Sequence, residues 1–452
     1  MSDTIAAIAT PGQPSAIGIL RLSGPDTCAA LDAVFRAKNG RPAAQQRPRA
    51  MVLGELLDET GQVIDSVLCV HFPAPHSYTG EDCAELHCHG SPIVLDTGLR
   101  ALFAAGCRQA GPGEFTKRAF LNGQLDLLQA ESVADLIDAE TAQQAHNAVC
   151  QLDGALSRTV ARIYDGLMDM AARFYAVVDY PDEDIEDLQR EQMLDTLRRA
   201  QNDLEALVAG FSRGRLLKLG VPTVLLGKPN AGKSSLLNAL LGYDRAIVTD
   251  IAGTTRDTVE EKVTVGGVLL RLIDTAGIRA TDDRLEQMGI QRTMSSIERA
   301  QIVIYMTDAA RLAAGAPVAP EFPLRADQKL LVLVNKTDTA PDCPLPEGTI
   351  GISARNGDGI ESLRRILRSF VDTEALYHGD AIVSNNRHYE ALTAAGDALR
   401  RALDGLNNSL QTDLLSEEIR QVIHHVGSVT GRNSLASEEV LKHIFSKHCV
   451  GK

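Results

Sequence analysis

The chain has 452 residues, of which 44% are hydrophobic and 23% charged, ample material for buried cores and no signature of disorder. At ~100–200 residues per domain, that length predicts about three domains. Lys and Arg number 45 against 59 Asp and Glu, a net charge of −14, which excludes a uniformly basic nucleic-acid coat but not a local patch.

The opening stretch, MSDTIAAIATPGQPSAIGIL, has no basic leader, and prolines and glycines break its apolar run. No run of ~18 apolar residues occurs, so no membrane span is expected. The eight cysteines are scattered along the chain and read as free thiols of a reducing compartment rather than a disulfide framework. The expected location is the cytoplasm.

Residues 1–118 mix strand-like runs such as AIGILRLSG (16–24) and VIDSVLCVHF (63–72) with Gly/Pro punctuation, the texture of an α+β domain. Residues 119–213 are poor in glycine and proline. Their apolar positions recur at helical spacing, as in LQAESVADLIDAETAQQAHNAV (128–149) and MLDTLRRAQNDLEALV (193–208), which predicts long helices. Tyr180-Pro181 marks a break between two of these. Residues 214–378 alternate strand and helix patterns, through VPTVLLG, LLRLIDTAG, IVIYMTD, KLLVLVNKTD and GTIGISA, as a doubly wound α/β domain does. Residues 379–452 return to helix. The expectation is an α/β domain inserted between two blocks of one helical domain.

Chemistry concentrates in the inserted segment. Gly227-Lys228-Pro229-Asn230-Ala231-Gly232-Lys233-Ser234 fits G-x-x-x-x-G-K-S, with Ser235 following, between an apolar strand and the helical SSLLNALLG. Glycines let backbone N–H groups curl around phosphate oxygens, and a helix N-terminus favours the charge they bring. Lys233 is expected on the β- and γ-phosphates, and the Ser234 hydroxyl on Mg²⁺.

Asp274-Thr275-Ala276-Gly277 ends the next buried strand and suits a Mg²⁺-side carboxylate with a γ-phosphate sensor. Asn335-Lys336-Thr337-Asp338 follows another apolar strand. A carboxylate at Asp338 can accept both N1–H and the 2-amino group of guanine, a donor pair that adenine does not present. Ser353-Ala354-Arg355 supplies the remaining base-side loop. Four elements in this order describe a GTPase domain. Where GTPases of the Ras type carry a water-orienting Gln, this chain has Ile278, so another group must orient the water. Gly253-Thr254-Thr255-Arg256-Asp257 supplies switch threonines, of which Thr255 is expected to close on Mg²⁺.

NAGKSSLLN (230–238), TDIAGTTRD (249–257), DTAGIR (274–279) and the terminal Cys449-Val450-Gly451-Lys452 together resemble the MnmE (TrmE) family of tRNA-modification GTPases. YTGEDCAELHCHG (78–90) and PGEFTKRAFLNGQLDLLQAE (112–131) extend that resemblance over essentially the whole chain. The resemblance implies an N-terminal tetrahydrofolate-binding domain that also dimerises the chain, and a GTPase whose G domains pair in a K⁺-dependent way. It implies a FAD-dependent partner, MnmG. It also implies a tRNA substrate, modified at C5 of the wobble uridine with a one-carbon unit from a 5-formyl- or methylene-tetrahydrofolate.

Carried over residue by residue, Asn230, Thr249, Ile251 and Thr254 match the K⁺ cage, and Glu286 the catalytic glutamate that orients water through a second water. Arg21, Glu85 and Lys452 match folate contacts. Gln124 stands where some members carry a lysine, so that contact loses its charge. The alternative to a modification enzyme is a regulatory GTP switch that binds ribosome or RNA and modifies nothing.

Other features are set aside. His87-Cys88-His89 alternates across a strand and reads as ordinary strand residues. His424-His425 lacks a helical partner at ligand spacing. Cys449 reads as a packing or positioning residue with a catalytic thiol as the alternative. The acidity is uneven. Residues 121–220 hold 9 Lys/Arg against 18 Asp/Glu, with a cluster at DYPDEDIED (179–187). A tRNA is therefore expected to meet the near-neutral regions or the partner protein, with modest, salt-sensitive affinity.

Overall fold

A computed structural model of the chain describes residues 3–179, 190–243, 261–273, 294–316, 318, 322–369, 382–408, 412–432, 444–446, 448 and 450–451. It divides into two compact units. One comprises Met1–Ala134, Gln151–Met168 and Ile423–Lys452, the other Asp135–Cys150 and Asp169–Val422.

The first unit is built on a seven-stranded sheet of β1 (Ile5–Ile8), β2 (Ser15–Ser23), β3 (Phe35–Ala37), β4 (Val52–Leu57), β5 (Val63–Phe72), β6 (Cys83–Gly90) and β7 (Arg108–Gln109). The order is β3-β4-β5-β6-β2-β1-β7, and every pair is antiparallel except β1–β7. Side chains alternate as a strand requires: Leu20 and Leu22 are fully buried, while Arg21 between them faces the other way.

Helices α1 (Thr27–Val34) and α2 (Pro92–Ala104) cover the Leu20/Leu22 face with Leu31, Val34, Leu95 and Leu102. Phe115 of α3 (Glu114–Leu121) closes the other face over Ile5 and Ala7. Burying each Leu or Phe fully is worth roughly 1.5–3 kcal/mol. Helix α3 also carries Arg118, a buried guanidinium that donates to Glu81 Oε2 at 2.9 Å, Asp3 Oδ1 at 2.8 Å and Glu114 Oε1 at 3.1 Å. A buried cation is tolerated only when paired in this way. Burial alone would raise the Glu114 carboxyl, but Arg108, the Gly111 N–H and Arg118 hold it down at about 2.

The helical stretch that follows comprises α4 (Leu127–Ile137), α5 (Ala142–Leu152), α6 (Ala155–Asp179), α7 (Arg190–Ala209) and α8 (Phe211–Leu219). The periodic run at 128–149 is two helices rather than one long one. A capping box makes the break. Thr141 Oγ1 accepts from the Gln144 N–H at 3.2 Å, and Gln144 Oε1 accepts from the N–H groups of Glu140 at 2.7 Å and Thr141 at 2.9 Å. Apolar periodicity continues across the break, which hides it from a hydrophobicity pattern.

The α/β part holds β8 (Val221–Gly227), α9 (Lys233–Tyr243), β9 (Glu261–Val265), β10 (Val268–Leu272), β11 (Ile302–Asp308), α10 (Ala309–Ala313), β12 (Lys329–Asn335), β13 (Thr349–Gly351) and α11 (Ile360–Ser369). Its six strands run in the order β13-β12-β11-β8-β10-β9, parallel except for β9. Strands β9 and β10 are joined by Gly266-Gly267, both at positive φ (60° and 86°), a two-residue hairpin that side chains resist.

After the sheet come α12 (Asn386–Asn407) and α13 (Thr412–Thr430). Helix α12 is packed on the helices that precede the sheet. Tyr389 stacks on Phe211 with centroids 4.0 Å apart, and Arg190 donates to the Leu406 carbonyl at 2.8 Å. Among the described residues no helix is long and apolar enough to cross a membrane, and the cysteines are unbridged thiols.

Candidate functional site

In an open parallel sheet, ligands bind beyond the carboxyl ends of the strands, where the strand order reverses. Here that point is the end of β8, which pairs with β11 on one side and β10 on the other. The residues that follow are Gly227 to Ser234. Gly227 has φ 149°, and a Cβ on it would come within 2.3 Å of the Met306 carbonyl oxygen. Gly232 has φ 96°, and a Cβ there would meet Asn335 Nδ2 at 2.1 Å. Asn230 is left-handed at φ 64°, a conformation asparagine tolerates better than most residues. The loop conformation thus dictates its own glycines.

Lys233 opens α9, and its Nζ donates to the carbonyls of Gly227 at 2.7 Å and Lys228 at 3.1 Å. The ammonium is thereby held across the loop that would surround a phosphate, and burial pulls its pKa down. Ser234 and Ser235 occupy the first turn of the same helix, and Ala231 is buried in the loop. Thr249, Ile251, Thr254, Thr255, Asp274, Thr275, Ala276, Gly277 and Glu286 lie outside the described residues.

The loops at 335–338 and 353–355 are tied to the 227–234 loop by a residue that the sequence marked only as part of a motif. Asn335, at the end of β12, is 2% exposed. Its Nδ2 donates to the Ala231 carbonyl at 2.9 Å, and its Oδ1 accepts from the Ala354 N–H at 3.0 Å. One side chain therefore braces the Gly227–Ser234 loop and the Ser353-Ala354-Arg355 loop at once.

Lys336 follows in a left-handed conformation (φ 59°), with its Nζ 3.7 Å from Asp308 Oδ2. Asp308 in turn caps α10 by accepting from the Arg311 N–H at 2.8 Å. Asp338 is exposed in the short turn after β12, where its carboxylate can meet a base edge. Ser353 is fully buried and held by a bridge to Asp358, whereas Arg355 is exposed.

Replacing Asn335 with alanine leaves a buried carbonyl and a buried N–H without their partners. It is expected to cost about 1–3 kcal/mol of stability and to weaken nucleotide binding with it. Denaturant unfolding with and without GTP checks this, and an unchanged midpoint in both would remove the bracing role.

A second cluster sits on the first unit's sheet. Arg21 and Glu85 are 64 positions apart in sequence but directly opposite in the β2–β6 register. Arg21 Nε donates to Glu85 Oε1 at 2.9 Å, and another guanidinium nitrogen donates to the Gly451 carbonyl at 3.0 Å. The guanidinium carbon lies 5.8 Å from the Phe115 ring centroid. The end of the chain is held there by a bridge from Val450 to Pro112. Gly451 has φ 99°, and a Cβ on it would meet the Ile8 carbonyl oxygen at 2.5 Å.

Arg21 and Glu85 are thus brought together with the chain end. Gln124 is exposed beside the Gly80 turn, while Cys449 and Lys452 lie outside the described residues. Chemically, a guanidinium can donate to an anion, a carboxylate can accept from an N–H edge, and a neighbouring aromatic offers an apolar face. His87 and His89 share a face of β6 but take different partners, Glu85 Oε2 at 3.1 Å and Asp65 Oδ1 at 2.7 Å.

Comparison with known proteins supplies an independent line. A family model described as "MnmE helical domain" matches residues 127–449, and one described as "GTP-binding protein TrmE N-terminus" matches residues 4–124. Several relatives carry the name "tRNA modification GTPase MnmE". That of Christiangramia forsetii is 40% identical over the full length of both chains. That of Parabacteroides distasonis is 40% identical over 99% of this chain and 100% of its own. That of Flavobacterium johnsoniae is 38% identical over 100% of this chain and 99% of its own.

Proposed function

The chain belongs to the MnmE family of tRNA modification GTPases, and on that premise we propose that it hydrolyses GTP in a K⁺-dependent, Mg²⁺-assisted way to support folate-dependent modification of the wobble uridine of certain tRNAs. The observation that carries the GTPase reading is the Asn335 brace, which joins a phosphate-loop carbonyl and a base-loop N–H through one buried side chain. Such bracing fixes the two loops relative to one another before a ligand arrives.

In this reading Asn230, Ala231, Gly232, Lys233, Ser234 and Ser235 take the phosphates. Asn335, Lys336, Asp338, Ser353, Ala354 and Arg355 take guanine, and Thr249, Asp274, Thr275, Ala276 and Gly277 complete the pocket. Ser234 and Thr255 serve Mg²⁺. Asn230, Thr249, Ile251 and Thr254 serve K⁺, where a cation beside the phosphates offsets charge that develops in the transition state. Glu286 orients the water.

Arg21 and Glu85 of a domain at 1–118, with Gln124 and Lys452 from beyond it, form the folate contacts. The helical domain spans 119–213 and 379–452 around a G domain at 214–378. The working assembly is a homodimer acting in the cytoplasm with MnmG, which carries the FAD. The net charge of −14 supports limited phosphate neutralisation by this chain, so tRNA affinity should be modest and fall steeply with salt.

The test is GTP turnover in K⁺ against Na⁺ at equal ionic strength. An acceleration on the order of tenfold or more in K⁺ is expected from one added electrostatic partner in the site. Equal rates would remove the cation cage and favour the reading as a binding switch.

A further inference from the structure

Cys28, His71 and Asp82 come from distant parts of the first unit's sequence, and their side chains converge on one point. The Cys28 sulfur, a His71 ring nitrogen and an Asp82 carboxylate oxygen all lie within 4.8 Å of one another. None of the three belongs to the nucleotide loops or to the Arg21–Glu85 pair. Their donor set, one sulfur, one imidazole and one carboxylate, is the mixture that Zn²⁺ and related borderline-soft divalent ions take.

The geometry points to a tetrahedral metal site: we propose that Cys28, His71 and Asp82 bind a divalent transition-metal ion, Zn²⁺ by its ligand chemistry, with the fourth position open to water. The Cys28 Sγ to His71 Nε2 separation is 3.5 Å. Zn–S and Zn–N bonds of about 2.3 and 2.1 Å meeting at a tetrahedral angle put those two atoms about 3.6 Å apart. The pair therefore already spans one edge of the polyhedron. An Asp82 carboxylate oxygen lies within 4.8 Å of both other ligand atoms.

The supports around the ligands are also in place. Cys28 is the second residue of α1. The residue before it, Thr27, donates from its hydroxyl to the Asp82 carbonyl at 3.0 Å, and the Gly24 N–H donates to the same carbonyl at 2.9 Å. The start of the helix that bears the sulfur is thus bonded to the backbone of the residue that bears the carboxylate. The Ala74 N–H donates to Asp82 Oδ1 at 2.8 Å and orients the group. His71 is fixed by the β5–β6 ladder, opposite Ala84. Ligands held by their neighbours in this way need little rearrangement to bind.

Burial and the nearby carboxylates of Asp82 and Asp32 raise the Cys28 thiol, so the sulfur carries a proton until a metal arrives. Binding forms the metal–sulfur bond and sends that proton to solvent. The site would clamp α1 to the end of the sheet where β5 finishes and β6 begins, and its consequence is stability of this unit rather than GTP chemistry.

The test is titration of the full-length, metal-stripped and nucleotide-free protein with Co²⁺, followed by Zn²⁺ competition. One equivalent with a thiolate-to-cobalt charge-transfer band is expected. Cys28→Ser should abolish the band. Asp82→Asn keeps the bond from Ala74 and should weaken Zn²⁺ binding by about tenfold or more. No band in the wild type, or an unchanged band in Cys28→Ser, would overturn the site and leave a Cys–His hydrogen bond. Should Cys28→Ser fail to fold, alkylation of Cys28 in the wild-type protein decides. Protection by stoichiometric Zn²⁺ supports the site, and unchanged labelling refutes it. Neither readout depends on GTP turnover, so this proposal and the proposed function can fail separately.

Discussion

Lys233→Ala is expected to lower GTP turnover by roughly 10²–10³-fold, the loss typical of removing one preorganised partner of a charge that develops in the transition state. The fold should survive. The described hydrogen bonds of the Lys233 ammonium run to the carbonyls of Gly227 and Lys228, in its own loop, rather than to a distant element. Removing the amine frees two loop carbonyls that water can reach, whereas a phosphate loses a cation already held over the loop. Single-turnover hydrolysis at saturating GTP, beside thermal unfolding of the apo protein, separates the two effects. Turnover within about threefold of wild type would show that the loop amides act without the lysine.

Asp338→Asn is expected to weaken GTP by about 10²–10³-fold and to improve xanthosine triphosphate in its place. The carboxylate can accept both N1–H and the 2-amino group of guanine. An asparagine that offers its oxygen to one of these sets its NH₂ against the other, leaving two donors facing each other. Xanthine carries a carbonyl at position 2, which the NH₂ can satisfy. Competition binding with the two nucleotides measures the swap. Retained GTP preference would mean that guanine is read elsewhere, by backbone groups of the Ser353-Ala354-Arg355 loop for instance.

The two regions differ in how readily they could be read, and the cause is distance along the chain. The phosphate loop is eight consecutive residues at a strand–helix junction, so its spacing alone carries its chemistry. The alternation around Arg21 and the run at 63–72 likewise translate directly into β2 and β5. The division at 138–141 did not, because both flanking segments keep helical periodicity and only the Thr141–Gln144 capping box stops the first from running into the second.

Local pattern therefore carried the fold class, the nucleotide motifs and the alternation of strand faces, since each is a property of neighbouring residues and of the 2.0- and 3.6-residue periods. Partnerships between distant residues waited for the tertiary structure. The pairing of Arg21 with Glu85 depends on the register of β2 against β6, and a slip of one residue would turn one of them to the opposite face. The Asn335 brace needs β12 and the Ala231 loop at hydrogen-bond distance, and the meeting of Cys28, His71 and Asp82 needs α1 packed where β5 ends and β6 begins. Hydrogen bonds and metal bonds act only over a few ångströms, so residues tens or hundreds of positions apart acquire them only once strand order and helix packing have brought them together.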